Sequence, residues 1–192
     1  MYIGLFFGSF NPIHTGHLMI ANYIVESTSL DRVWFVVSPQ NPLKQKQTLL
    51  NEYDRYHLVE LAIEENYNLL ASNIEFSLPK PSYTIDTLTY LKEKYPKNEF
   101  ALIMGMDNAA SLPKWKNFEI LISKYRIYVY PRPGYEIMPD LQSNRNLEIV
   151  PGVPYLPISS TFIREQIRAG KSMRYFLPDK VRTYIEEMNL FK

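Results

Sequence analysis

Residues 2–24 read YIGLFFGSFNPIHTGHLMIANYI, and the order of residue types in this stretch decides the fold. Tyr2–Phe7 is a continuous apolar run that ends at Gly8, the pattern of a strand buried on both faces of a parallel sheet. A tight loop shaped by Gly8 and Pro12 comes next. From His14 to about Ser27 the apolar residues Leu18, Ala21, Ile24 and Val25 fall on one helical face. A buried strand, a short turn and a helix are how an α/β sheet begins.

The alternation continues along the chain. Val33–Val37 (VWFVV) reads as a second buried strand stopped by Pro39, and a helix is predicted from Asn51 to about Asn66. A strand is predicted near Leu69–Phe76, a helix over Tyr83–Tyr95 closed by Pro96, and a central strand over Phe100–Met104 (FALIM). A short helix at Asn117–Ser123 precedes strands at Arg126–Tyr130 and Leu147–Val150. Helices over Thr161–Ala169, with Gly170 just beyond its end, and over Pro178–Met188 complete the pattern. The expected fold is α/β: a Rossmann-like doubly wound parallel sheet with helices on both faces. It is expected as one domain over 1–192, with a small helical extension from about 159 to 192. Ligands of such sheets bind beyond the carboxyl ends of the strands. That rule selects the segments after Phe7, Val37, Met104 and Val150.

Composition excludes several classes. The 192 residues are 46% hydrophobic and 21% charged, enough apolar material for a sizeable core. A net charge of +1 gives no global pull toward nucleic acid or a membrane surface, so neither is expected as a partner. The absence of cysteine rules out disulfides, thiolate zinc sites and cysteine nucleophiles, and fits a reducing interior. No apolar run approaches the roughly 18 residues that span a bilayer. MYIGLFFGSF lacks the basic start of a signal peptide. A soluble cytoplasmic protein is expected. No stripe or patch reads as an interface, so the sequence leaves a homo-oligomer open.

Two of the three histidines, His14 and His17, stand three residues apart where the first helix begins. At that spacing both rings project from one side of the first turn, beside amide N–H groups and the positive end of the helix dipole. Gly16 between them leaves room for an anion against the backbone. Such a pair suits a polyphosphate. A shared metal ion is the other reading of the pair, but nothing nearby supplies a third ligand, so no metal site is assigned. In ISSTFIR (Ile158–Arg164), Ser159, Ser160 and Thr161 are all good N-cap types and Arg164 lies one turn in. A second helix start therefore faces the same crevice, with a guanidinium fork suited to phosphate oxygens. His57 lies in a helix without motif context and is read as structural.

GSFNPIHTGH resembles the HxGH signature of the nucleotidyltransferase superfamily, and ISSTFIR resembles its second signature. SYTIDTL (Ser82–Leu88) and MGMDNAASLPKW through YPRPGY (Met104–Tyr135) narrow the likeness. End to end, the chain resembles the bacterial nicotinate mononucleotide adenylyltransferases. Two departures touch the first loop: the family commonly has a further Gly before Ser9 and an Asp where Asn11 stands. The resemblance implies transfer of an adenylyl group from ATP to nicotinate mononucleotide, giving deamido-NAD and pyrophosphate, with Mg²⁺ carried on the ATP phosphates. It implies catalytic roles for His14, His17 and Arg164. It implies ATP contacts from Gly8, Ser9, Phe10, Gly16, Lys44, Gly105, Asp107, Ser159, Ser160 and Thr161. The acceptor would meet Tyr83 and the amides of Thr84 and Lys116, which suit a nicotinate carboxylate, while its ring stacks on Trp115. A relative using another acceptor (nicotinamide mononucleotide, phosphopantetheine or a cytidylyl substrate) is the first alternative. A nucleotide-binding module without turnover is the second. The parts played by Arg55 and Arg132 stay open at this level.

Overall fold

The apolar run at the start of the chain forms β1 (Tyr2–Gly8), and the molecule is organised around it. The structure is a computed structural model and describes residues 1–39 and 49–192. The expected site residue Lys44 lies outside the described residues. To one side of β1 lie β2 (Arg32–Val37) and β3 (Leu69–Ser72); to the other lie β4 (Glu99–Gly105), β5 (Ile127–Tyr130) and β6 (Leu147–Ile149). The order is β3-β2-β1-β4-β5-β6, with every neighbouring pair parallel. The strand order reverses between β1 and β4, and a parallel sheet of this order opens its ligand crevice there, at the carboxyl ends.

Each strand feeds two cores, because alternate side chains point to opposite faces. Phe6, Val33, Phe35, Val37, Ala101 and Ile103 face one core, which also takes residues from α1 (Thr15–Ser27), α2 (Glu52–Ile63), α7 (Ser160–Arg168) and α8 (Asp179–Glu187). Ile3, Leu5, Val36, Phe100, Leu102 and Met104 face the other. That second core takes residues from α3 (Thr84–Lys94), α4 (Met106–Ser111), α5 (Phe118–Lys124) and α6 (Pro139–Gln142). Continuous apolar strands are what burial on both faces requires. No helix among the described residues is long and apolar enough to cross a membrane.

The differences from the sequence reading have local causes. The strand expected to run to Phe76 stops at Ser72, and Ile74–Ser77 form a single 3-10 turn that carries Glu75 into the interior. Helix α4 was not expected: it is six residues long and has one buried side chain, Ala109, so it carries no periodic signal.

Candidate functional site

The carboxyl ends of β1 and β4 and the starts of α1 and α7 enclose a crevice of about 360 Å³. On the α1 side, His14 caps the helix with an extended backbone and is buried, 5% exposed. Its ring stacks on that of His17, with centroids 3.7 Å apart and planes 25° apart. The lone pairs of an imidazole lie in its plane, so two stacked rings cannot aim at one ion; the geometry speaks against a shared metal. The His14 amide donates to Nδ1 of His17 at 3.3 Å. That bond leaves the proton of a neutral His17 ring on Nε2. Burial, with the Arg132 charge adding to it, pushes His14 down to about 4, so its ring is neutral at pH 7.

Three sequence expectations change in detail here. A Cβ on Gly16 would stand 3.1 Å from Cε1 and Nδ1 of His14, so this glycine makes room for the neighbouring imidazole. A Cβ on Gly8 would stand 2.7 Å from the ring of Phe10, whose φ is +44°. Both glycines therefore serve the packing of the loop's own rings. The first amide of α1 is also occupied: the Thr15 N–H and hydroxyl both donate to the carbonyl of Phe176 at 3.0 Å. That helix start offers fewer free donors than a bare N-terminus would.

On the opposite wall, Ser159 caps α7 by accepting the Phe162 amide at 3.1 Å. Ser160 Oγ donates to the carbonyl of Pro12 at 2.8 Å, and Arg164 Nη1 donates to that of Asn11 at 2.9 Å. These two bonds hold the helix starts together across the crevice. Ser159, Ser160, Thr161 and Arg164 all line it, as do Gly8, Ser9 and Phe10.

From β4 and β5 come Asp107 and Arg132, paired at 3.0 Å, with Asn108 and Tyr130 beside them. Gly105 caps α4 and does not itself line the crevice; a Cβ there would stand 2.4 Å from Asp107 Oδ1. Trp115 lines the crevice, whereas Tyr83, Thr84 and Lys116 do not. They form a rim beside Trp115 in which Lys116 Nζ bonds Asp86 at 2.8 Å and lies 4.9 Å from the centre of the Tyr83 ring.

Sequence reasoning left Arg55 and Arg132 open. Arg132 directly follows the Pro131 that ends β5 at the crevice end, and the switch-point rule could have placed it. Arg55 is fully buried in α2 and donates to the carbonyls of Leu50 (3.0 Å), Ser9 (2.6 Å), Ser38 (2.8 Å) and Pro39 (3.1 Å). It ties together the backbone beyond β1 and β2 from behind. His57 is half exposed and packs edge-on against Tyr184, as a structural residue does.

Buried polar atoms normally find partners, because leaving one unpaired costs about 1–3 kcal/mol. Six buried side-chain nitrogens and oxygens among the described residues have none, and four of them belong to residues lining this crevice: His14 Nδ1, Asp107 Oδ1, Trp115 Nε1 and Arg164 Nε. These atoms are covered by their neighbours, so they mark a polar layer directly behind the crevice lining.

Comparison with known proteins gives a consistent result. The sequence model of a family described as cytidylyltransferase-like matches residues 5–166. A protein of Flavobacterium psychrophilum described as a "probable nicotinate-nucleotide adenylyltransferase" is 50% identical over 192 residues, covering 100% of both chains. One of Cytophaga hutchinsonii with the same description is 52% identical over 185 residues, 96% of this chain and 95% of that protein. Among solved structures, the nicotinic acid mononucleotide adenylyltransferase of Plasmodium falciparum complexed with NaAD superposes with a TM-score of 0.83. It is 20% identical and covers 99% of this chain and 97% of its own, a likeness of fold.

Proposed function

The chain belongs to the nicotinate-nucleotide adenylyltransferases of the cytidylyltransferase-like family, and we propose that His14, His17 and Arg164 are the groups that handle phosphate in its reaction. The enzyme joins ATP and nicotinate mononucleotide into deamido-NAD and pyrophosphate, a step of NAD biosynthesis. A phosphate oxygen of the mononucleotide forms a bond to the α-phosphorus of ATP while the bond from that phosphorus to the bridging β-oxygen breaks. The nucleophile is already an anion and needs no base. Catalysis rests on alignment and on stabilising charge that shifts toward the leaving pyrophosphate.

Each residue has a place in that account. His17, with its proton on Nε2, donates to the α- and β-phosphates. His14, neutral and stacked behind it, orients the ring. Arg164 and the first turn of α7 (Ser159, Ser160, Thr161) hold the β/γ end, Gly8, Ser9 and Phe10 shape the floor, and Gly16, which does not itself line the crevice, serves ATP through the room it gives the His14 ring. Asp107, beyond Gly105 and steadied by Arg132, accepts from a ribose hydroxyl. Trp115 stacks on the pyridine ring, and the amides of Thr84 and Lys116 receive its carboxylate beside Tyr83. Lys44 keeps the role the resemblance implies, a reach toward phosphate.

Mg²⁺ bound to the triphosphate oxygens would offset charge on the departing pyrophosphate. Mg²⁺ keeps several waters and takes few protein ligands, so phosphate oxygens and water are its natural ligands here. ATP as donor fits a cytoplasmic enzyme. Both C-terminal helices share a core with α1 and α2, which supports treating 1–192 as one domain.

The observation that carries this reading is the convergence of His14, His17 and Arg164 on one crevice whose two helix starts are joined by the Ser160–Pro12 and Arg164–Asn11 bonds. Its test is pyrophosphate release from ATP with nicotinate mononucleotide, nicotinamide mononucleotide or phosphopantetheine as acceptor. Activity is expected with the first and far less with the others. His17→Ala should lower turnover by about 10²–10³ with the fold intact. A loss below about tenfold would remove His17 from the mechanism.

A further inference from the structure

A carboxylate lies buried away from the crevice, and the reaction as described does not use it. Glu75 is 2% exposed in the 3-10 turn after β3. Its Oε2 accepts from the Ser82 hydroxyl at 2.9 Å and its Oε1 from the Thr87 hydroxyl at 2.8 Å, and the Ser38 side chain adds to the stabilisation of its charged form. Burial pushes its carboxyl up from the ordinary range, and these three hydroxyls work against that rise.

What the three hydroxyls belong to gives the carboxylate its meaning. Ser38 follows β2; its amide donates to the carbonyl of Gly8 at 2.9 Å and its own carbonyl accepts from Arg55, so it is tied to the backbone beyond β1. Ser82 and Thr87 flank the start of α3, where Tyr83 and Thr84 stand. Tyr83 caps that helix without any side-chain bond of its own, so Glu75 anchors the helix start from below. One carboxyl group thus fixes the beginning of α3 against the turn that follows β3. In its ionised form it only accepts and holds both hydroxyl protons inward, a constraint that an amide with its own N–H donors does not reproduce.

We propose that Glu75 is a positioning residue for the acceptor site: it sets where the Thr84 amide and its rim stand relative to the triphosphate crevice. The proposal rests on the reading that this rim receives nicotinate. Nicotinate mononucleotide approaches from the α3 side and ATP from the α1 and α7 side. Loosening the tie shifts one wall against the other and weakens the acceptor alone.

The test is initial-rate pyrophosphate release with each substrate varied at saturating levels of the other, for Glu75→Gln, Thr87→Val and Ser82→Ala. Each variant should raise the KM for nicotinate mononucleotide about five- to tenfold, as expected for the loss of one good hydrogen bond. The KM for ATP and kcat should stay within about twofold. Ser82→Ala removes a single half-buried hydroxyl and gives a folded reporter if the Glu75 variant does not fold. An acceptor KM that stays the same or falls, or two KM values that rise together, overturns the proposal. Trp115→Ala separates it from the reading beneath. If that variant raises the acceptor KM while the Glu75 set does not, only the role of Glu75 fails. If Trp115→Ala leaves the acceptor KM unchanged as well, the assignment of the rim fails.

Discussion

Acidification should destabilise the folded chain through His14, and the structure sets both the window and the size of the effect. Above pH 6.5 the imidazole is neutral in folded and unfolded chains alike and contributes no pH dependence. As the pH falls below 6.5 the unfolded chain takes up a proton there, while the folded chain, in which burial and Arg132 hold the ring near 4, does not. The unfolded state then binds more protons, so stability drops with falling pH, and the loss is complete below about 4. At about 1.36 kcal/mol for each pH unit of the gap, the loss by pH 4.5 is about 2 kcal/mol. Against the 5–15 kcal/mol typical of a domain, that is readily measured. The assay is urea unfolding followed by circular dichroism at pH 7 and pH 4.5, comparing the natural chain with His14→Gln, which is polar but does not titrate. Carboxylates titrating in the same window cancel in the difference. Should the two proteins lose stability in parallel, to within about 0.5 kcal/mol, His14 is not held neutral by its surroundings and the account of the stacked pair is wrong.

Two further substitutions test how the crevice is built. Arg55→Met would leave four carbonyls, one buried and three part-buried, without their donor and should cost about 3 kcal/mol or more of unfolding free energy, read as a lowered urea midpoint. Arg55→Lys should recover little of it, since an ammonium cannot span the same four oxygens, and full recovery would mean that charge alone matters. Gly16→Ala places a methyl 3.1 Å from the His14 ring in a helix that otherwise gains about 1 kcal/mol from the change. Stability should therefore move little while kcat/KM falls at least about tenfold; unchanged activity would show that the ring yields without cost.

The central strands were legible because burial on both faces leaves a mark along the chain itself. VWFVV and FALIM cannot alternate with polar residues when both of their sides are dry. The paired histidines and the ISSTFIR cap were legible for a related reason: each is a local device, written within a few consecutive residues. Arg55, the Asp107–Arg132 pair and Glu75 are different. Each acquires its role from segments that the fold brings near, Ser9 and Ser38 for Arg55, the residue after β5 for Asp107, and the start of α3 for Glu75. No spacing along the sequence announces such a meeting. Gly8 and Gly16 lie between these cases. Their small size was readable as a requirement, but a ligand and a neighbouring ring ask for the same empty volume.

The bonds that join the first loop to α7 reach across 148 residues from Ser160 to Pro12 and 153 from Arg164 to Asn11. Loops of that length cost more entropy to close than short ones. The hold on a triphosphate is therefore shared between the two ends of the chain, and a change that frees α7 from Pro12 and Asn11 opens the crevice while every strand of the sheet stays paired.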